Sequence, residues 1–258
     1  MNRNQIWVIS GAIILFLILY LGFEITPPKQ KSLEKSRALN IEATSVNNLI
    51  QEANLDADKK SMIDAINLDL QKANSDSIKK LGLLKSLSGT WYDLGYPSIA
   101  GYYAEEAADI IGTDASWAIA GTTYSICTKN AKEDKTKQFC SKRAVRAFEK
   151  AISIAPEVVD HRINLANCYI DNPNPATPMQ GILMLKDLNT KYPKSVAVLN
   201  QLGKLALQTN QSERALERLE AAIKLEPENN VTICLLAEAY SQLGDKTKAT
   251  EYKKKCVN

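Results

Sequence analysis

The chain holds one histidine, His161, among 258 residues. A lone imidazole leaves no His pair for a zinc site, although it can still join a hydrolytic triad. None of the five cysteines stands in a CxxC pair, which argues against zinc-thiolate and thioredoxin-like chemistry. No serine elbow, glycine-rich phosphate loop or paired-carboxylate spacing occurs in a strand-and-turn context, so no catalytic residue and no cofactor are expected. Charge of one sign is lacking too. Lys plus Arg at 32 against Asp plus Glu at 29 leaves +3, interleaved along the chain, which disfavours nucleic acid as the main partner. Glycine (11) and proline (9) are scarce, as in proteins made of helices rather than of short strands and turns. At 45% apolar residues the chain has enough material for one or two domains with real cores.

One long hydrophobic run is present. Residues 6–23 (IWVISGAIILFLILYLGF) carry no charge over 18 positions, about 27 Å as a helix at about 1.5 Å per residue, which suffices to cross a bilayer. The run is longer than a secretory signal's apolar core and no small-x-small cleavage site follows it, so an uncleaved anchor over residues 1–24 is expected. Trp7 and Tyr20 sit near its ends, where amphipathic rings favour the headgroup zone. Pro27 and Pro28 stop the helix in a stalk over residues 25–31. Lys29, Lys31, Lys35 and Arg37 follow the span against Arg3 before it. That count favours a cytoplasmic bulk, although long domains translocate largely regardless of charge.

A 34-residue period organises the C-terminal part. Ile233, Leu236, Ala237, Tyr240, Gly244, Ala249 and Cys256 fall 34 positions after Leu199, Leu202, Gly203, Ala206, Asn210, Ala215 and Ala222. Each unit carries two apolar stripes at helical spacing, with small residues that let the two helices approach closely. A hairpin of this size cannot bury its face alone, so neighbouring units must stack.

These residues resemble the tetratricopeptide repeat family, whose unit is a 34-residue helical hairpin. LNQLGKLALQTNQSERALERLEAAIKLEPEN (199–229) follows the pattern closely and 233–256 repeats it. Leu165, Ala166, Tyr169, Gly181, Leu185, Leu188 and Pro193 form an earlier unit, and Trp117, Ala120, Gly121, Tyr124, Ala144, Phe148, Ala151 and Pro156 another. Leu84, Leu87, Trp91, Gly95, Ala100 and Ala107 make a degenerate one, with Gly112 where the family has proline. The resemblance implies a right-handed α-solenoid of four to five hairpins over residues 80–258, so that with the transmembrane helix read from residues 6–23 the whole chain is expected to be all-α. Residues 32–79 are expected to cap it with two helices, 32–53 (Leu39, Val46, Ile50) and 56–73 (Met62, Ile66, Leu70).

Two units depart from the period inside the hairpin. The step from Tyr124 to Ala144 is 11 residues longer than from Ala206 to Ala215, and that from Tyr169 to Gly181 is three longer. Both are expected in turns, where added length costs little. The larger insertion runs from Cys127 to Cys140, positions that face each other at the base of an uninterrupted turn, about 5 to 7 Å apart between Cα atoms, within disulfide range. A bridge there adds about 3 kcal/mol in the chain-entropy model and needs an oxidising compartment; the alternative is two thiols that stay reduced. Cys168, Cys234 and Cys256 are expected to act as small apolar residues, and His161 to be a solvated or capping residue at a helix start.

In this family the first helices line a concave groove for a peptide or partner helix. Taking the second, fifth, ninth and twelfth residues of each unit gives Asp160, Ile163, Asn167 and Ile170, then Ala197, Asn200, Lys204 and Leu207, then Val231, Cys234, Glu238 and Ser241, of which Ile163, Asn167, Asn200, Lys204, Leu207 and Glu238 are singled out as the groove. The repeats that clamp heat-shock chaperone tails use Lys, Asn and Arg there, whereas this chain has Ala118, Thr122, Asn164, Ala197 and Gln201, so that function is not expected. The layout is similar to bacterial inner-membrane proteins that hold such an array in the periplasm beside a secretion or cytochrome-maturation complex. The expectation is therefore an envelope scaffold anchored in the lipid bilayer through residues 6–23, with a protein or peptide as partner, no metal and no nucleic acid. A cytoplasm-facing adaptor and a self-associating structural protein are the alternatives.

Overall fold

The computed structural model describes residues 44–73 and 76–256. The expected anchor, the stalk and the first part of the cap, with Leu39, lie outside them. Among the described residues there are twelve helices and no strand. They are α1 (Val46–Glu52), α2 (Ala57–Lys72), α3 (Ser77–Asp93), α4 (Pro97–Ile111), α5 (Asp114–Asn130), α6 (Asp134–Ile154), α7 (Val159–Asp171), α8 (Gln180–Lys191), α9 (Val196–Gln208), α10 (Ser212–Leu225), α11 (Asn230–Gln242) and α12 (Lys246–Lys255). From α3 onward they form five consecutive hairpins, each packed on the next. No described helix is long and apolar enough to cross a membrane.

Short polar side chains set where the helices start. Thr113 Oγ1 accepts from Ser116 N–H, Ser195 Oγ from Val198 N–H and Asn229 Oδ1 from Thr232 N–H, satisfying amides that have no partner in a first turn. Three of the five hairpin turns hold a residue with positive φ: Gly95 (84°), Asn210 (55°) and Gly244 (81°). Asn210 and Gly244 stand 34 residues apart, and both are residue types that enter the left-handed region at small cost.

The 11-residue insertion is not a loop. α5 has 17 residues against 13 in α9, and α6 has 21 against 14 in α10, so the extra residues are all helix. The segment between Cys127 and Cys140 has no Gly or Pro and is rich in Lys, so both helices can run on into it from either side. The connection stays three residues long (131–133), like 209–211. The shorter insertion, NPNPATP, does sit in a connection, 172–179.

The core runs along the stack rather than collecting at one point. Leu84, Leu87, Trp91, Ile99, Tyr103, Tyr124, Phe139, Phe148 and Leu165 form one buried cluster through the first three hairpins, and Leu49 and Ile63 bring α1 and α2 onto it. Ser45 caps α1, so that helix starts at Val46. Met62, expected on the buried stripe of α2, is exposed, and Ile63 takes the core place. Leu185, Leu188, Val198 and Leu202 continue the core into the fourth hairpin, and Leu219, Leu236 and Tyr240 into the fifth.

Candidate functional site

The groove of interest lies on the first helices of the last three hairpins. α7 contributes Asp160 and Ile163, α9 contributes Val196, Ala197, Asn200, Gln201 and Lys204, and α11 contributes Val231 and Leu235. Glu226 and Asn229, in the connection before α11, close one side. The space is ≈ 380 Å³. These helices point one side into it because consecutive first helices sit side by side, each carrying a polar stripe opposite its core stripe.

Amide side chains tie the floor together. Gln201 Nε2 donates to Asn167 Oδ1 at 2.6 Å, joining α9 to α7. The Thr232 hydroxyl donates to Asn200 Oδ1 at 2.8 Å, with Asn200 Nδ2 3.4 Å from Asn229 Oδ1, joining α9 to α11. Of the six groove positions singled out from the sequence, Ile163, Asn200 and Lys204 line the space and Asn167 holds the floor from α7. Asn200 is only 6% exposed and its amide is occupied within the fold. Leu207 is buried among Leu219, Leu236 and Tyr240 and faces the next hairpin rather than the groove. Glu238 is exposed on α11, where its carboxylate accepts from Gln242. What the groove offers to a ligand is the Lys204 ammonium, the carboxylates of Asp160 and Glu226, and the aliphatic surfaces of Ala197, Val231 and Leu235. Asp160, Ala197 and Val231, which the same count reached, also line the space, whereas Gln201 and Glu226, which it did not reach, come from the position beside Asn200 and from the connection before α11.

His161 belongs elsewhere. It was expected to be solvated or capping, yet it is 6% exposed and its Nε2–H donates to Asp114 Oδ2 at 2.8 Å, across from α7 to the first residue of α5. This bond holds the Asp114 carboxyl below its ordinary value. A second buried polar cluster pins α4, α5 and α6: Tyr124 Oη and Arg143 Nη1 each donate to Glu105 Oε2 at 2.8 Å, with the Arg143 guanidinium 4.8 Å over the Phe139 ring. Burial pushes the Tyr124 phenol far up, so it stays a donor. Both clusters tie side chains of different helices to one another, as expected of structural pins. No three His, Cys, Asp or Glu are grouped for a metal among the described residues.

Two disulfides each join the two helices of one hairpin. Cys127 on α5 and Cys140 on α6 have Cα atoms 5.9 Å apart and both are buried. Because the insertion is helical, this bridge clamps two helices rather than stapling a loop. Cys234 on α11 and Cys256 just after α12 have Cα atoms 4.9 Å apart. These two were expected to be small apolar residues, and the pairing corrects that expectation. The preceding hairpin carried the signal: Ala222, 34 residues before Cys256, packs on Val196 and Leu199 of α9, so the corresponding place on α11 lies beside Cys256. Cys168 is buried as a thiol, its titration pushed up to about 11 by that burial.

Residues 196–229 and 232–258 match the family model described as tetratricopeptide repeat. The last two hairpins are similar to tetratricopeptide repeats. No curated protein matches the chain in sequence. Among solved structures, YrrB, described as a tetratricopeptide protein with an unusual peptide-binding site, is 15% identical, with 76% of this chain and 92% of that one covered at a TM-score of 0.37. Yeast Tom70 is 14% identical, with 77% of this chain and 47% of that one covered, at 0.44. MamA is 17% identical, with 79% and 94% covered, at 0.34. Both matched hairpins contribute their first helices, α9 and α11, to the groove.

Proposed function

We propose that this chain is a membrane-anchored scaffold that holds a peptide or helix of a partner protein in the groove along α7, α9 and α11, on the oxidising side of a bacterial inner membrane. Tetratricopeptide repeats are a protein-binding fold, and a scaffold role is the coarse reading on which the rest builds. The observation that carries the finer one is the groove itself. It is an open space whose floor is tied together by side-chain hydrogen bonds between neighbouring helices and whose rim keeps Lys204 and Asp160 for a ligand, with Glu226 already accepting from Asn229. A pre-formed groove spares part of the ordering cost of binding. Residues 6–23 support the anchor by length and lack of charge. Two disulfides support a periplasmic or exterior array, because such bonds persist in oxidising compartments. Anchoring raises local concentration by confining the search for partners to the membrane surface, which suits a protein that assists assembly or secretion there.

The experiment is protease accessibility of a C-terminal tag in intact spheroplasts, with a non-reducing thiol count on the same sample. Digestion from outside, with one free thiol of five, agrees with the proposal. Protection, with five free thiols, sinks the envelope reading. It would favour the cytoplasmic adaptor, for which the four basic residues that follow the apolar run argue. Lys204→Glu then tests the groove: the variant should stay folded and lose co-purified partners, and full retention of every partner removes the groove from the mechanism.

A further inference from the structure

A second cleft, separate from the groove, opens where the third hairpin meets the fourth. It measures ≈ 220 Å³, and its walls come from α8, α9 and α10. Its floor is apolar: Met179, Ile182, Leu202, Leu205 and Ala206. Its rim is cationic: Lys186 on α8, and Arg214 and Arg218 on α10. No acidic residue lines it. Arg214 and Arg218 are four apart on one helix, an arrangement that costs energy between like charges in the absence of an anion. Lys186 adds a third positive charge from the opposite wall.

The usual neutralisation of such a trio is missing. None of the three cations has an ion pair among the described residues. Arg214 Nη1 donates to Gln211 Oε1 at 2.8 Å and Arg218 Nη1 only reaches the Leu202 carbonyl at 3.5 Å, so both guanidinium groups keep most of their five N–H donors. The neighbouring acids, Asp187, Glu213 and Glu217, are each one residue away, about 100° round their helices from the cation they adjoin, and none of them lines the cleft.

We infer that this cleft docks an acidic peptide segment of a partner protein, its carboxylates on Lys186, Arg214 and Arg218 and an aliphatic side chain on the floor between α8 and α9. Charge complementarity names the sign of the occupant, and the guanidinium forks suit carboxylates, which they can take two donors at a time. The floor requires an apolar group beside the anion, which a bare phosphate lacks. The volume is below the about 300 Å³ at which small-molecule pockets begin, so part of a chain fits better than a whole cofactor. The connection that the three-residue insertion lengthens in the third hairpin ends at Met179, which lines the cleft.

The test uses the full chain in a neutral detergent and a fluorescent probe, the blocked peptide Leu-Glu-Asp-Leu-Glu. Saturable binding is expected, weakened about tenfold or more in Arg214→Gln/Arg218→Gln and again in Lys186→Gln. Circular dichroism confirms that the variants are folded. Leu-Gln-Asn-Leu-Gln and Ser-Glu-Asp-Ser-Glu should each bind more weakly, since one lacks the charge and the other the apolar group. Absence of saturable binding overturns the inference, as does equal binding of the serine peptide. Displacement of the probe by millimolar inorganic phosphate overturns it in favour of a phosphate site. Loss of binding in Lys204→Glu, with the arginine variant unaffected, moves the peptide to the groove of α7, α9 and α11 and leaves the cleft empty.

Discussion

Asp114 and His161 stand 47 residues apart in the chain and 2.8 Å apart in space. Neither residue advertises the other in the sequence, because the bond depends on how the third hairpin stacks on the second. Read within its own helix, His161 is only a polar residue at a helix start. The pair has a pH signature. His161 holds the Asp114 carboxyl below the ordinary value, so the folded chain favours the ionised form. Its contribution to stability is present above about pH 4, the unfolded value, and is lost as pH falls through the folded one. Asp114→Asn should lower the urea midpoint at pH 7 and narrow its difference from the parent as pH falls toward 3. A difference that stays constant across that range would remove Asp114 from the acid response. Glycine choices are more legible than this pair. A methyl group on Gly181 would meet the carbonyl oxygen of Ala166, which is backbone and cannot step aside, whereas one on Gly203 would meet the flexible end of Leu219. Gly181→Ala is expected to cost about 2 kcal/mol and Gly203→Ala less, as read from denaturant midpoints. Equal effects would mean that α7 and α8 shift apart freely.

Helices show where periodicity succeeds and where it misleads. The stripes at Leu199, Leu202 and Ala206 and at Ile233, Leu236 and Tyr240 identify hairpins because the apolar face of each helix is repeated in its neighbour. Length inside a hairpin has no such marker. Eleven extra residues between Tyr124 and Ala144 read as a turn, yet they lengthen α5 and α6. The information was present as an absence: with no Gly or Pro, the segment has nothing to stop the two helices from running on to a three-residue connection. α12 poses the opposite problem. It buries no residue fully and offers only Ala249 and Tyr252, both half-buried, to the cluster beneath. A ten-residue polar helix of this kind is not stable alone. The Cys234–Cys256 bond ties its end to α11 and contributes about 3 kcal/mol for a loop of this length in the chain-entropy model. Cys256→Ser should therefore raise amide exchange in α12 and the end of α11 while leaving α3 to α8 protected, since stacked repeats communicate mainly with their neighbours. Mild reduction should open this half-buried bridge before the buried Cys127–Cys140. If thiol trapping finds Cys127 and Cys140 first, burial does not protect them.

At the scale of the molecule, stacking makes the groove, and this is also why counting identified its helices better than its residues. Second, fifth, ninth and twelfth positions find α7, α9 and α11, but they treat the array as straight and each helix as alone. Leu207 occupies a counted position and yet packs under the next hairpin, while Asn200 is consumed by the bond from Thr232. The distinction decides which variants test binding. Asn200→Ala removes the acceptor of a buried hydroxyl that keeps Asn229 Oδ1 as its other neighbour, and it opens a gap between α9 and α11. It should cost about 1 to 2 kcal/mol and alter the groove through its floor, so lost binding there would not separate contact from distortion. Lys204 and Val231 face the solvent side of the same space, Val231 at 59% exposure. Lys204→Glu and Val231→Asp should leave the unfolding free energy within about 0.5 kcal/mol of the parent, as read from denaturant midpoints. If a partner occupies the groove, each should weaken it, Lys204→Glu more steeply at low salt because its effect is Coulombic, and Val231→Asp at any salt because it loses apolar contact. Binding measured by calorimetry with the full chain at two ionic strengths separates the two. A partner indifferent to both variants at both strengths does not use this groove.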